Sequence, residues 1–281
     1  MNDASMSRPE PTAVEPRLRD TREAFDSVAA DYDGPRGNNE LIQEMRGEVW
    51  RWLDATFSRG SRLIDLGCGT GLDAVRMARL GHFVTATDWS PQMVARTRDR
   101  ARNERLAERV ETVVVGAHEL CRLGATGEYD GAYSNLGPLN CVPDLAAVSR
   151  ECARLLKPNG ALVFTVIGRI CPWEIAHYLR QGRWGRVKIR FARSVVPVGM
   201  NNHTIWTRYF GPREFYRHFE PEFRLEHFRG LCVFAPPPYL TSIRENFPGS
   251  HARLWDLDRR ISGWPGIRGM GDHFLIVMKK R

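Results

Sequence analysis

Between Asp65 and Ile167, short apolar runs alternate with stretches whose apolar residues recur at helical spacing, the pattern of strands each followed by a covering helix. The runs predict five strands, over 62–66, 83–87, 110–115, 129–134 and 161–167. Helices are expected to begin near Leu72, at Ser90 and at Leu145. Ser90 followed by Pro91 reads as an N-cap with proline at the first helical position, and Asn159-Gly160 supplies the turn into the fifth strand. Helical crossovers between consecutive strands require parallel pairing, so the expected core is α/β and doubly wound. Upstream, Leu41, Met45, Val49, Trp52 and Leu53 fall on one face of a helix over 40–57. Downstream, 223–234 and 273–278 read as a closing antiparallel pair.

This pattern divides the chain into a leader over 1–20, a lid and helix over 21–57, and a core over 58–281. The core carries two cap insertions, at about 168–208 and 235–268. The leader is rich in proline and charge and has no apolar h-region, so it is expected to be disordered. The segment AFDSVAADYDGPRGNN is expected to be a mobile lid. With 281 residues, 42% hydrophobic and 26% charged, the composition is that of an ordinary soluble chain built around one large unit. Six cysteines without a CxxC pair point to a reducing, cytoplasmic setting and away from structural zinc. A formal net charge of +8 admits nucleic acid, a phosphorylated acceptor or an acidic carrier protein as partners, or simply arginine-rich solvated helix faces.

Candidate chemistry sits at the first strand. Leu63-Ile64-Asp65-Leu66-Gly67-Cys68-Gly69-Thr70-Gly71 is an apolar strand running into a glycine turn and then a helix, whose free N–H groups face a ligand. Gly69, Gly71 and Ala74 also satisfy a dinucleotide fingerprint, so the loop alone does not separate NAD from other nucleosides. Two acids sharpen the choice. Asp65, at the strand end just ahead of the first glycine, Gly67, would repel a pyrophosphate and attract an ammonium or sulfonium. Asp88, at the end of the second strand, is placed to accept both hydroxyls of a ribose.

The ordered series LIDLGCGTG, TATDWSPQM, VVVGAHEL, YDGAYSNLGPLNCVPDL and LLKPNGALVFTV resembles the successive motifs of class I S-adenosylmethionine (SAM) dependent methyltransferases. Residues 24–33 are similar to the opening of quinone-biosynthesis and related small-molecule members. The resemblance implies a Rossmann-like seven-stranded sheet with its last strand antiparallel, and SAM as cofactor. It also implies that Gly67, Gly69 and Gly71 line the methionine part, Asp88 holds the ribose, Trp89 borders the adenine, and Ala117 and His118 lie at the adenine edge. Members usually carry an acid where Ala117 stands.

Transfer from a sulfonium needs positioning above all, with a general base where the nucleophile holds a proton. Asn135 and Asn140, after the fourth strand, are candidates to orient the acceptor; each serves equally well as a turn cap. His177, in the first insertion, is the candidate base. His203 and His273 are weaker candidates of the same kind. The absence of an Asn-Pro-Pro-Tyr motif disfavours nucleic-acid amines. The insertions are rich in rings (Trp173, Tyr178, Trp184, Phe191, Trp206, Tyr209, Phe210, Phe234, Tyr239, Phe247, Trp255), some expected to form a pocket for an apolar or aromatic small-molecule acceptor. Arg169, Arg180, Arg183, Arg186, Lys188, Arg190 and Arg193 could clamp an anionic or carrier-bound acceptor, while most of them read equally as a solvated face. The alternatives are an RNA methyltransferase and a NAD-dependent oxidoreductase using the same glycine loop.

Overall fold

The computed structural model describes residues 14–35, 37–240, 246 and 248–281. In chain order the elements are α1 (Val14–Val28), α2 (Glu40–Thr56), β1 (Arg62–Leu66), α3 (Leu72–Arg79), β2 (Phe83–Asp88), α4 (Pro91–Asn103), β3 (Val110–Val114), β4 (Tyr129–Ser134), α5 (Leu145–Leu155) and β5 (Leu156–Ile167). They continue with α6 (Pro172–Arg180), α7 (Trp184–Val187), β6 (Val196–Met200), β7 (His203–Thr207), α8 (Pro212–Arg217), β8 (Phe223–Leu231), α9 (Pro248–Ile261) and β9 (His273–Lys280).

Among the described residues these strands form a seven-stranded sheet in the order β3-β2-β1-β4-β5-β9-β8, with β9 antiparallel to both neighbours, as the resemblance implies. Strand geometry distributes the core between two layers. Successive side chains on β1 point to opposite faces. Ile64 joins Val148 and Cys152 of α5 and a cluster of phenylalanines, Phe210, Phe215, Phe219 and Phe223. Leu63 joins Met45, Val49 and Leu53 of α2 and Met77 of α3. The spacing that predicted α2 is therefore the spacing it buries.

Two boundaries differ from the sequence reading. The fifth strand begins at Leu156, because Leu156 already pairs with Tyr129 before the ladder resumes at Gly131 and Ala161. Residues 1–13 of the expected leader lie outside the described residues, as does Phe247. From Val14, however, the chain is helical where disorder had been expected up to residue 20. Its polar composition hides the reason, which is tertiary: α1 lies against α4 and β7, and buries Thr21 and Ala24. The first insertion consists of α6 and α7 followed by a β6–β7 hairpin separate from the main sheet.

Candidate active site

The carboxyl ends of β1, β2 and β4 meet where the strand order reverses, the place at which doubly wound sheets receive ligands. The glycine turn is built there by sterics. Gly67 (φ +80°) and Gly71 (φ +84°) hold left-handed backbone, and a Cβ would stand 2.4 Å from Pro138 at the first and 2.8 Å from Thr97 at the second. The N–H groups of Gly67 and Cys68 donate to Thr87 O at 2.8 and 2.9 Å, fixing the turn to β2.

Beside the turn, Asp88 accepts from Gly69 N and Ser90 N, each at 2.9 Å. Burial pushes its carboxyl up to about 6 against those two hydrogen bonds. Asp88 opens into a recess with Trp89, Ser90, Gly116, Ala117 and His118, closed from above by Leu18, Thr21, Arg22 and Phe25. Trp89 and His118 meet edge to face at 4.6 Å. Burial lowers His118, so it presents a neutral ring.

A second recess adjoins the first across Phe25, Gly67, Pro138 and Cys141. It is floored by Gly69, Asp73 and Asn135 and walled by Tyr32, Arg46, Ile167, Val198, Ile205, Thr207 and Tyr209. Asp73 is its polar centre: it forms an ion pair with Arg46 and accepts from Trp50 Nε1 at 2.6 Å and Asn135 Nδ2 at 3.1 Å. Asp65 lies buried beneath, its Oδ2 without a hydrogen-bond partner among the described residues. Burial, and then the neighbouring charges of Asp73 and Asp88, push it well above the usual carboxylate range.

Helix α1 spans both recesses. Trp89 Nε1 donates to Leu18 O at 3.3 Å, and Asp26 accepts from the hydroxyl of Ser90, the N-cap of α4. On the other flank Trp206 of β7 donates through its indole to Asp20 at 3.0 Å and through its backbone to Thr21 Oγ1 at 3.1 Å. Past α1, Asp33 accepts from Thr70 Oγ1 at 2.7 Å and pairs with Arg100. The segment expected as a lid is thus latched over the glycine turn at both ends.

Of the expected site residues, Gly67, Gly69, Asp88, Trp89, Ala117, His118 and Asn135 line this cleft, and Gly71 shapes its turn. Asn140 does not. Its side chain donates to Ile167 O and Arg208 O and accepts from Ile167 N, which consumes the carboxamide in joining β5 to the cap. His177 stands on α6, away from the residues lining the cleft, with its Nε2 3.0 Å from Gln181. The candidate base thus lies outside the group of residues that the cleft brings together. His203 lies exposed on β7, and His273 pairs with Asp272 at 3.0 Å.

The cations of the first insertion follow the solvated-face reading rather than the clamp for the most part. Arg190 is buried, donating to Asp272 at 2.6 Å and Glu174 at 2.7 Å, and Arg169 pairs with Glu214. Arg180, Arg183, Arg186, Lys188 and Arg193 are exposed and none lines the cleft. Of the insertion rings, only Tyr209 lines it among the described residues; Phe25 and Tyr32 come from the lid, and Trp89 and His118 from the loops after β2 and β3. Sequence reasoning missed Arg46 and Asp73. Asp73, in the first turn of α3, had a readable signal as an acid at a helix N-terminus facing the cleft. Arg46 sits among ordinary polar positions of α2 and gave none.

Residues 63–160 match a family model described as a methyltransferase domain. The chain is 37% identical over 145 residues to a ubiquinone biosynthesis O-methyltransferase of Xanthomonas oryzae pv. oryzae, covering 50% of this chain and 56% of that protein. It is 36% identical over 145 residues, with the same shares, to one from Xanthomonas campestris pv. campestris. The chain thus spans just over half the length of the curated relatives it matches. Among solved structures, a geranyl diphosphate C-methyltransferase from Streptomyces coelicolor superposes with a TM-score of 0.60 at 16% identity, covering 97% of this chain and 100% of that one. A 1,6-didemethyltoxoflavin-N1-methyltransferase from Burkholderia thailandensis superposes with a TM-score of 0.58 at 17% identity, covering 97% and 92%; likeness at these identities concerns the fold. The fold and the cleft define an α/β domain with an open recess at the carboxyl ends of its parallel strands. The stretch that matches a methyltransferase domain, residues 63–160, contains the glycine turn and Asp88.

Proposed function

We propose that this protein transfers a methyl group from SAM to a small, apolar or aromatic acceptor in the cytoplasm. The observation that carries the reading is the charge around the glycine turn. Asp65, Asp73 and Asp88 converge there, two of them raising Asp65, while Arg46 is the one cation among the described residues lining the methionine half. Such a site repels the two charges of a pyrophosphate and suits a zwitterion that also carries a sulfonium. The partnerless Asp65 Oδ2 and Arg46 Nε, both buried, fit the ammonium and the carboxylate of a methionyl group in sign and number. This disfavours the NAD alternative.

Bound SAM supplies an electrophilic methyl on a charged, activated leaving group. The protein's part is positional. Asp88 accepts from the ribose hydroxyls, and Trp89, His118 and Leu18 enclose the adenine. Asn135 is fixed by donating to Asp73 and accepting from Thr165 Oγ1 at 3.1 Å, which holds the floor beneath the reacting atoms. Phe25 and Tyr32 close the cleft against water. The acceptor lies against Ile167, Val198 and Ile205, with the Thr207 and Tyr209 hydroxyls as its polar contacts. The exposed cap arginines play no part in holding it, so the acceptor in the cleft is an apolar body with one or two oxygen functions.

Calorimetry with S-adenosylhomocysteine (SAH) and with NADH tests the cofactor: SAH should bind and NADH should not. Radiolabelled methyl transfer to a panel of alkylated catechols and phenols then tests the acceptor class. Binding of NADH without SAH would overturn the reading.

A further inference from the structure

Residues 175–207 contain no acid at all, whereas Arg180, Arg183, Arg186, Lys188, Arg190 and Arg193 fall within it. Arg190 alone is neutralised internally, by Glu174 and Asp272. The other five cations are exposed, and none of them has an ion-pair partner among the described residues. Interleaved with them are large apolar groups turned to solvent: Trp184 is 65% exposed, Phe191 45% and Leu179 38%. Neither α6 nor α7 buries a residue of its own. A folded chain does not gain from exposing tryptophan and phenylalanine among unpaired cations in water.

We propose that α6, α7 and the turn through Arg193 form a docking surface for an anionic phospholipid bilayer. Cations at this spacing meet lipid phosphates, while Trp184 and Phe191 enter the interfacial layer, where an aromatic ring is at ease. Among the described residues no helix is long and apolar enough to cross a membrane, so the attachment is peripheral. The uncharged exposed groups of this surface, Leu179, Trp184 and Phe191, gain most from an apolar medium. That favours lipid over an RNA or an acidic protein, either of which would use the cations but leave the leucine and phenylalanine wet. The base of the surface is stiff. Arg190 is pinned by two carboxylates and two main-chain carbonyls, and its guanidinium lies 5.2 Å above the ring of Tyr209, which lines the cleft. The docking surface therefore adjoins the acceptor half of the site, and an apolar acceptor dissolved in the bilayer would have a short path to it.

Cosedimentation of the full chain with vesicles tests this, comparing pure phosphatidylcholine with phosphatidylcholine containing one third phosphatidylglycerol. The chain should sediment with the anionic vesicles only, and progressively less as salt is added. Reversing two charges, Arg183→Glu with Arg186→Glu, should weaken partitioning by about tenfold or more. Trp184→Ala should weaken it severalfold without changing the salt dependence. SAH affinity, measured on the same preparations, should be unaltered in both variants and shows that each is folded. Absence of sedimentation with anionic vesicles, equal sedimentation with both kinds, or variants indistinguishable from the parent would overturn the proposal. Competition by a structured RNA that abolishes vesicle binding through the same cations would overturn it in favour of a nucleic-acid surface.

Discussion

The backbone N–H of Gly69 donates to Asp88 Oδ2 at 2.9 Å, so the glycine turn and the end of β2 are held together by the same carboxylate that faces the adenosine recess. Removing it therefore acts twice. Asp88→Ala deletes the acceptor for the ribose hydroxyls and frees the N–H groups of Gly69 and Ser90. Two charge-assisted bonds, each worth roughly 1.5 to 3 kcal/mol, correspond to a loss of at least about a hundredfold in SAH affinity. Calorimetry on a variant whose far-UV spectrum is unchanged checks this, and an unaltered dissociation constant removes Asp88 from the site.

The same carboxylate sets a pH dependence with two opposite signs. Burial raises Asp88 to about 6 in the folded protein. Between the unfolded value and about 6 the folded state then binds more protons than the unfolded one, so this group's contribution to stability grows as pH falls through that window. Cofactor affinity runs the other way, because protonation removes the charge that strengthens the ribose contacts. SAH affinity should decline below about pH 6, by up to about tenfold per unit, and Asp88→Asn should flatten the profile. A flat profile in the parent protein would sink the assignment.

Helix α1 covers both recesses and is the candidate gate for a nucleoside, and the Trp206 indole makes one of the several bonds that hold it there. Trp206→Phe keeps the ring but deletes the bond to Asp20, worth about 1 kcal/mol. SAH should dissociate severalfold faster, with hydrogen exchange increased over α1 and unchanged over β1. Identical dissociation rates would mean that α1 is not the gate.

Much of this was legible in the sequence, and the parts that were not share a cause. Apolar periodicity located β1 to β5 and α2 because their burial follows from spacing along one element, and the glycine turn was readable because backbone conformation restricts residue type there. Helix α1 was hidden because only two of its residues are buried and its partners, Trp89 and Trp206, are distant in the chain. The choice at Asn140 and His177 was not legible for a related reason: one carboxamide is saturated by Ile167 and Arg208, and one imidazole faces Gln181. Whether a polar side chain is free for chemistry depends on partners that spacing does not reveal.

Arg190 and Asp272 bind the cap to the sheet, and their pairing predicts acid sensitivity. Burial alone would raise Asp272, but Arg190 and His273 outweigh it and hold the carboxyl well below the usual range. A depressed folded value means that the pair's contribution is complete above the ordinary carboxylate value and is lost as pH falls through the folded one. Asp272→Ala strands a buried guanidinium and should cost roughly 3 to 5 kcal/mol at neutral pH. Thermal melts should show that penalty shrinking on acidification; a penalty independent of pH would show that the pair contributes through shape alone.

Tyr209 and His177 separate the acceptor site from the helix that sequence had favoured. Tyr209 lines the cleft opposite Asn135, with its ring held beneath the pinned Arg190, whereas His177 is turned to Gln181. Tyr209→Phe removes a hydroxyl from the acceptor wall and nothing from the cofactor recess. It should raise the acceptor KM or lower kcat by up to about tenfold, the worth of one hydrogen bond, while leaving SAH affinity as it was. His177→Ala should change neither. The reverse outcome, a slow His177 variant beside an unimpaired Tyr209 variant, would require α6 to swing into the cleft during turnover and would move the acceptor off the β6–β7 hairpin.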